Sequence, residues 1–548
     1  MINQDNSKIK LCYKDYFFAV ISAIAGILFA TLVLFGSFNL GFTIANLFLL
    51  VSGSIYLKIN SKSAGAFGWI LLILCGLGSI VFALTSDGFA KFILFLLLCF
   101  AEASLFRVLT AGKNALGDLK LPLVALYTVF VPTFDHIVGA VKLLFSGRKG
   151  KSGQYKKIFG GTLLALPVLL VVVPLLVNSD AAFEGLIKTI GGDFFLWILK
   201  IALGLLIAPF IYTYFFANRN FGKNYRISKK LKPVADSLWG VSFLGVISLC
   251  YILYLLSQLA YIFGGLSGIL PENYTMAEYA RRGFFENAII SVINFTLVHG
   301  SWLICKRTKL FSAFQIFVCA FTMFLIVTAE AKMIMYISRF GMTTLRLLTS
   351  AFLLFLFVLG IVFILRIICK KLPVIRPAMI AGLVLTILIG GIGTSRIVAT
   401  YNTEAYINGK LSTVDVETIS DCGDAAVEQL IKLEKHLKNG KDDDSYNKVM
   451  EELINKFYEI YAFEPSGELI PKEAFKIENY NLEASLSKKS FDKFIEQNPD
   501  FIQKAFWYAS PQNEKGSYDN EDYINYNNWL EYGVVDPVTP PEFATVEN

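Results

Sequence analysis

The sequence predicts an all-α integral membrane protein with about eleven transmembrane helices plus a C-terminal, mainly helical soluble domain. Three observations point there. The 548 residues are 55% hydrophobic and 17% charged, with 48 Phe, which is more apolar surface than one soluble core of this length can bury. The apolar residues gather in stretches near the length of about 20 residues that a helix needs to cross the hydrocarbon. The charge is also divided: residues 1–400 carry 36 Lys and Arg against 14 Asp and Glu, net +22, and residues 401–548 carry 14 against 29, net −15.

Taken in order, the expected spans are 16–36, 39–57, 66–85, 89–109, 157–177, 193–216, 238–264, 284–304, 310–335, 344–367 and 377–399. The first follows Asp15 without a small-residue cleavage site and reads as a retained helix. Loop charges orient the set, because cytoplasmic loops carry the Lys/Arg excess. Lys8 to Lys14, Lys58 and Lys62, Lys149 to Lys157, Arg219 to Lys232, Lys306 to Lys309, and Lys370 to Arg376 fall on one side, the expected cytoplasmic face. The alternate loops are acidic or neutral, apart from Arg281, Arg282 and Arg339. An odd number of spans then places the N-terminus inside and the tail outside the cytoplasm.

The expected organisation is residues 1–110 with four spans, 111–156 as a cytoplasmic interfacial or re-entrant segment, 157–399 with seven spans, and 400–548 as an acidic extracytoplasmic domain. Within 112–147, Pro122 and Pro132 break the apolar run and Asp135-His136 interrupts it, so each half is too short to cross. Beyond Arg396 the composition turns polar, and apolar residues return at helical spacing. Val427, Leu430, Leu433 and Leu437 make one stripe, and Val449, Leu453, Phe457 and Tyr461 another. Asn439-Gly440-Lys441 and the acidic Asp442-Asp443-Asp444 between them read as a helix end and a helix start.

Several function classes are excluded or disfavoured. Eight singly scattered cysteines give neither a zinc pattern nor a disulfide framework, and no metal or cofactor is implied. The basic residues sit in short loops rather than on one face, which argues against a nucleic-acid partner. No Ser-His-Asp order, zinc-binding helix or phosphate-cradling glycine loop is present, so no catalytic residue is assigned and the balance leans away from an enzyme.

Charges within spans are the default functional candidates of a membrane protein, since each costs roughly 2.5–3.5 kcal/mol at the bilayer centre unless paired or hydrated. Glu102 in the fourth span, Glu330 and Lys332 in the ninth, and Arg346 at the start of the tenth meet that description. Arg346 and Arg339 also suit snorkelling at the interface. Outside the spans, the loop before 284–304 gathers Glu278, Tyr279, Arg281, Arg282 and Glu286. Thr275 and Glu278 match a capping box, and the paired guanidiniums suit a phosphate headgroup at the outer surface. Gly160-Gly161 and Gly390-Gly391 suit close helix packing.

Three of these stretches carry a resemblance. Tyr261-Ile262-Phe263-Gly264-Gly265, Glu278-Tyr279-Ala280-Arg281-Arg282-Gly283-Phe284-Phe285-Glu286 and Tyr336-Ile337-Ser338-Arg339-Phe340-Gly341-Met342-Thr343-Thr344-Leu345-Arg346 together resemble a family of bacterial multi-pass membrane proteins known only as a domain of unknown function. Asn402, Asp415, Asp424 and Ala425 fall where that family places an Asn, an Asp and an Asp-Ala pair after its last span. The resemblance spans roughly 160–430 and implies no activity. One departure is Ala329-Glu330-Ala331-Lys332, where the family has a small apolar stretch before a basic residue.

Three readings of function stay open. The first is a non-enzymatic scaffold, sensor or envelope-component binder, its partners being membrane lipids and a cell-envelope component or protein held through residues 400–548. The second is a transporter or flippase using Glu102, Glu330 and Lys332. The third is a transferase acting on a lipid-linked substrate near Glu278 to Glu286.

Overall fold

The computed structural model describes residues 2–4, 13–58, 65–111, 125–131, 133–134, 172, 175–176, 179, 181–227, 234–266, 284–369, 372–438, 442–463, 469–472 and 476–508. Its helices are α1 Tyr13–Leu34, which closes on a π-helical turn, α2 Leu40–Lys58, α3 Gly65–Leu84, α4 Gly88–Ala111, α5 Ala181–Asn224, α6 Ser237–Leu266, α7 Phe284–Ile304, α8 Lys309–Phe340, α9 Thr344–Ile368 and α10 Ile375–Ile392. Beyond these lie α11 Thr394–Ile407, α12 Val416–Ser420, α13 Ala426–Leu437, α14 Asp443–Ile460, α15 Leu482–Gln497 and α16 Asp500–Tyr508. Among the described residues there are four three-residue strands: β1 Ile2–Gln4 pairs with β2 Tyr225–Ile227, and β3 Tyr461–Phe463 with β4 Leu469–Pro471, both antiparallel.

Among the described residues nine helices are long and apolar enough to cross a membrane, against the eleven spans expected. The difference has two sources. The expected span 284–304 is a 21-residue helix, α7, as long and as apolar as several of the nine, but only residues 286–302 of it are fully described and it is not counted among them. Of the expected span 157–177 only Val172, Leu175 and Leu176 are described, all three helical and exposed. The last span is also shorter than expected: α10 ends at Ile392, and the chain breaks at Gly393 (φ +91°) before α11.

The membrane helices pack as two bundles. In the first, α1 to α4 and the second half of α5 surround Phe18, Phe42, Leu71, Phe82, Leu98 and Phe215, and α10 adds Met379 and Leu383. In the second, α6 to α9 surround Leu244, Phe295, Val298, Phe311, Val318, Leu353 and Phe363. Bilayer lipid is as apolar as these side chains, so close backbone approach and buried polar contacts hold the bundles together more than hydrophobicity does. One such close approach is at Gly26 of α1 and Gly204 of α5, where a methyl group on either would run into the other helix's backbone. At Gly390 the neighbour is a side chain rather than backbone: an added Cβ would stand 3.0 Å from a Val81 methyl of α3.

One end of the first bundle is basic. There Arg219 pairs with Asp15, whose carboxylate also accepts from Tyr56 Oη at 2.7 Å, and Lys58 stands 3.9 Å over Trp69. At the opposite end, Lys200 of α5 lies 5.6 Å over Phe35 in the turn after α1. The chain therefore leaves α4 at the basic end and enters the apolar part of α5 at the other. Within 112–147, residues 125–131 and 133–134 are helical, with Ala125 and Thr128 buried and Phe134 edge-on to Phe210 at 6.0 Å; the remainder lies outside the described residues.

The tail is built as its two stripes predict. Val427, Leu430, Leu433 and Leu437 of α13, with Val449, Leu453 and Phe457 of α14 and Tyr461 at its C-cap, are all buried, and α15 and α16 add Phe491, Phe494, Phe501 and Ala505. Asp442 caps α14 through Ser445 N at 3.1 Å. The core also takes Val398 and Ala399 from α11 and rests on Met342 and Leu347, so its packing starts above Gly393.

Candidate functional site

Three turns at the end of the bundles opposite the basic one carry the tail. The first follows α1: Asn39 Nδ2 donates to Asn479 O at 3.0 Å, and Leu40 N to Tyr480 O at 3.1 Å. The second joins α3 and α4. Glu483, in the first turn of α15, is 2% exposed, and one of its oxygens accepts from Ser86 N at 2.8 Å, Ser86 Oγ at 2.9 Å and Thr85 Oγ1 at 3.1 Å. Arg396 Nε lies 3.6 Å from the other oxygen. Asn481 caps α15 through Glu483 N at 2.9 Å and donates to Thr85 O. Lys91, buried at the start of α4, bonds Asn39 Oδ1 within electrostatic reach of Glu483, Asp424 and Asp87. Burial pushes the Asp424 carboxyl above its ordinary value; a hydrogen bond from Ser86 opposes this, and the nearby Glu483 charge adds to it.

The third turn, between α8 and α9, is the Tyr336-to-Arg346 motif. Gly341 has φ +76°, in the left-handed region that favours glycine, and a Cβ there would meet Asn402 Oδ1 at 2.8 Å. Asn402 of α11 closes on the next residue, accepting from Met342 N at 2.7 Å and donating to Met342 O at 2.8 Å. Thr343 caps α9. Arg346 reaches back to Phe340 O at 3.2 Å and Gly341 O at 2.5 Å, with its guanidinium 4.4 Å from the Tyr336 ring. It thus caps the carboxyl end of α8 rather than standing free in the span. Asp415 caps α12 through Thr418 N at 3.0 Å. Of the motif residues, Gly341, Met342, Thr343, Arg346, Asn402 and Asp415 thus seat the tail or shape its turns.

Within the first bundle, Glu102 is buried between helices. Asn46 Nδ2 of α2 donates to Glu102 Oε1 at 2.7 Å and to Ser79 Oγ of α3 at 2.8 Å, while Ser79 Oγ donates to Cys75 O at 2.7 Å and Thr43 Oγ1 to Ser79 O at 2.7 Å. Toward the basic end, Tyr214 of α5 lies within electrostatic reach of Glu102 and Arg107, and Arg107 Nη1 is 3.4 Å from both Asn218 O and Asn218 Oδ1. Polar side chains thus mark the interior from Asn39 at one end to Asp15 and Arg219 at the other.

The other expected residues lie apart from this set. Glu330 and Lys332 are half-buried on α8 in the second bundle, with Glu330 close to Ser350 of α9, so Glu102, Glu330 and Lys332 do not converge. Glu286 is exposed in the first turn of α7. Glu278, Tyr279, Arg281 and Arg282, as well as Asp135-His136, lie outside the described residues. Among the described residues no group of three or more His, Cys, Asp or Glu is placed to hold a metal. An apolar cavity of about 280 Å³ opens between α4, α9 and α10, lined by Leu97, Phe352, Phe355 and Ile389 among others.

Sequence reasoning passes over Asn46, Asp15 and Glu483. Asn46 was detectable as the one amide in the apolar run from Leu40 to Val51; Glu483 had no local mark, because its partners lie almost 400 residues away.

The family described as Domain of unknown function (DUF4153) matches residues 70–433. That match opens within α3 and closes within α13, so it takes in α4, α5 and α10 of the first bundle, the whole second bundle and the first part of the tail, but not α1 and α2. No curated protein and no solved structure matches the chain.

Proposed function

The chain belongs to the DUF4153 family of domains of unknown function, and from that premise we propose that it is a multi-pass cell-envelope protein holding an acidic helical module at the outer membrane face. Its role is that of a non-enzymatic scaffold, sensor or binder of an envelope component. One observation carries this reading: three separate turns of the bundles, all at the end away from the basic loops, grip the tail through Asn479, Glu483 and Asn402. A module pinned at three points is displayed in a defined orientation rather than tethered. The Lys/Arg bias of the other end favours an extracytoplasmic tail. Cysteine labelling in intact cells tests it. Lys489→Cys is expected to react with a membrane-impermeant maleimide, and Lys58→Cys only after permeabilisation. The reverse pattern would sink the reading.

A second reading, proton-linked transport through the first bundle, is favoured by Glu102 with Asn46 and Ser79 on three facing helices. An amide would serve as well as a carboxyl for helix association there, and an intramembrane carboxyl marks a proton pathway by default. Glu102→Gln keeps the acceptor for Asn46 but cannot release a proton. In proteoliposomes under an imposed potential, proton flux above that of empty vesicles that is lost in Glu102→Gln is the expected result; equal flux in both proteins removes this reading.

A further inference from the structure

The basic end of the second bundle has an arrangement that neither the tail nor Glu102 explains. Here α7 ends at Ile304, and four residues lead to α8, whose first turn is capped by Thr308. The turn is braced by its neighbour: Val234 N and Ala235 N both donate to Ile304 O at 3.0 Å, and Lys306 N donates to Ala235 O at 3.1 Å. Arg366, in the last turn of α9, is held from the other side by a 2.5 Å bond to Leu372 O. Between these elements sits Trp302, 6% exposed.

Two guanidiniums share that indole. Arg307 lies 4.2 Å and Arg366 4.4 Å from its ring centroid. An aromatic face attracts a cation by about 0.5–2 kcal/mol, but two cations on one ring also repel each other. Desolvation lowers the Arg307 guanidinium to about 10, and the positive charge of Arg366 contributes to that. The nearby carboxylate of Asp236 faces Lys306 at 3.8 Å. With Arg366 tied to Leu372 O and Arg307 rising from a braced turn, the two guanidiniums concentrate positive charge on one ring, which an anion held by both forks would relieve.

The surroundings identify the source of that anion. Ile304 and Leu310 flank Arg307, Leu365 and Ile368 flank Arg366, and all four are exposed large apolar side chains. A soluble phosphate has no use for them, whereas the acyl chains of a lipid do. Basic pockets between transmembrane helices suit anionic headgroups in the same way.

We infer that Arg307 and Arg366, braced on Trp302, bind the phosphate of an anionic phospholipid from the leaflet at the basic end, with its acyl chains lying over Ile304, Leu310, Leu365 and Ile368. The test uses the full-length protein in detergent, with native mass spectrometry as readout. Phosphatidylglycerol is expected to be retained about tenfold more strongly than phosphatidylcholine. Arg307→Ala with Arg366→Ala removes that preference, Arg307→Lys with Arg366→Lys restores part of it, and Lys58→Ala, at the same end of the first bundle, leaves it intact. Should the double alanine variant fail to fold, the wild-type ratio and the lysine pair still decide. Equal retention of the two lipids overturns the inference, as does a preference unchanged in both double variants. Displacement of phosphatidylglycerol by an equal concentration of inorganic phosphate would make this a site for free phosphate and overturn the lipid assignment.

Discussion

Asn402 clasps the peptide of Met342 from both sides, its amide oxygen 2.7 Å from Met342 N and its amide nitrogen 2.8 Å from Met342 O. One side chain of the tail thereby stands in for the strand partner that this turn lacks. Asn402→Ala leaves both backbone groups half-buried and unmet, at roughly 1–3 kcal/mol each. The expected outcome is a thermal midpoint several degrees lower and faster protease cleavage between α10 and α13, with the membrane helices still protected. An unchanged midpoint would mean that the clasp is dispensable.

Glu483 accepts three hydrogen bonds from the turn between α3 and α4, so its removal does more damage than its neutralisation. Glu483→Gln keeps an acceptor oxygen and should cost about 1–2 kcal/mol; Glu483→Ala leaves Ser86 N and the Thr85 hydroxyl without their acceptor and should cost about 3 kcal/mol or more. Denaturation of the purified protein monitored at the tail checks this, and the two variants behaving alike would refute it.

The half-buried Asp424 makes tail seating depend on pH. Its folded carboxyl titrates above its ordinary value, so the folded state binds a proton more tightly than the unfolded state does. The contribution is therefore fully present below the ordinary carboxylate range and is lost as pH rises through the raised value. Relative to wild type, Asp424→Asn should flatten the fall in thermal midpoint with rising pH in that acid window. Parallel curves for the two proteins would contradict the assignment.

Gly204 of α5 leaves no room for a side chain against Ile27 of α1. Gly204→Val should destabilise this crossing by about 3 kcal/mol or more, since backbone rather than a rotatable side chain must yield. Reduced accumulation of the protein in membranes and a lower detergent melting temperature are the expected measurements, with Gly76→Val, whose surroundings are open, as the tolerated control.

Much of the architecture was legible in the sequence because hydrocarbon and water impose different periods and lengths. Runs such as Gly65 to Leu84, and the stripe from Val427 to Leu437, declare themselves locally. Features set by distant partners did not. Nothing around Thr85 and Ser86 announces that Glu483 will cap their turn, and Arg346 read as an interfacial cation because its acceptors, Phe340 O and Gly341 O, are backbone atoms. The β3–β4 pair was missed because three-residue strands are too short to show alternation. Glu102 was legible as an intramembrane carboxyl; its partners Asn46 and Ser79 required the packing of three helices.

The break at Gly393 has a consequence for how such proteins can be recombined. The tail core draws on Val398 and Ala399, while the family match closes inside α13, partway through that same core. A graft cut at residue 400 or at 433 would split one hydrophobic interior between two parents. A chimera joined at Gly393 instead keeps the tail's own share of that interior together, and the recipient must supply its seat: Asn39 and Leu40, Thr85 and Ser86, and Met342 with Leu347.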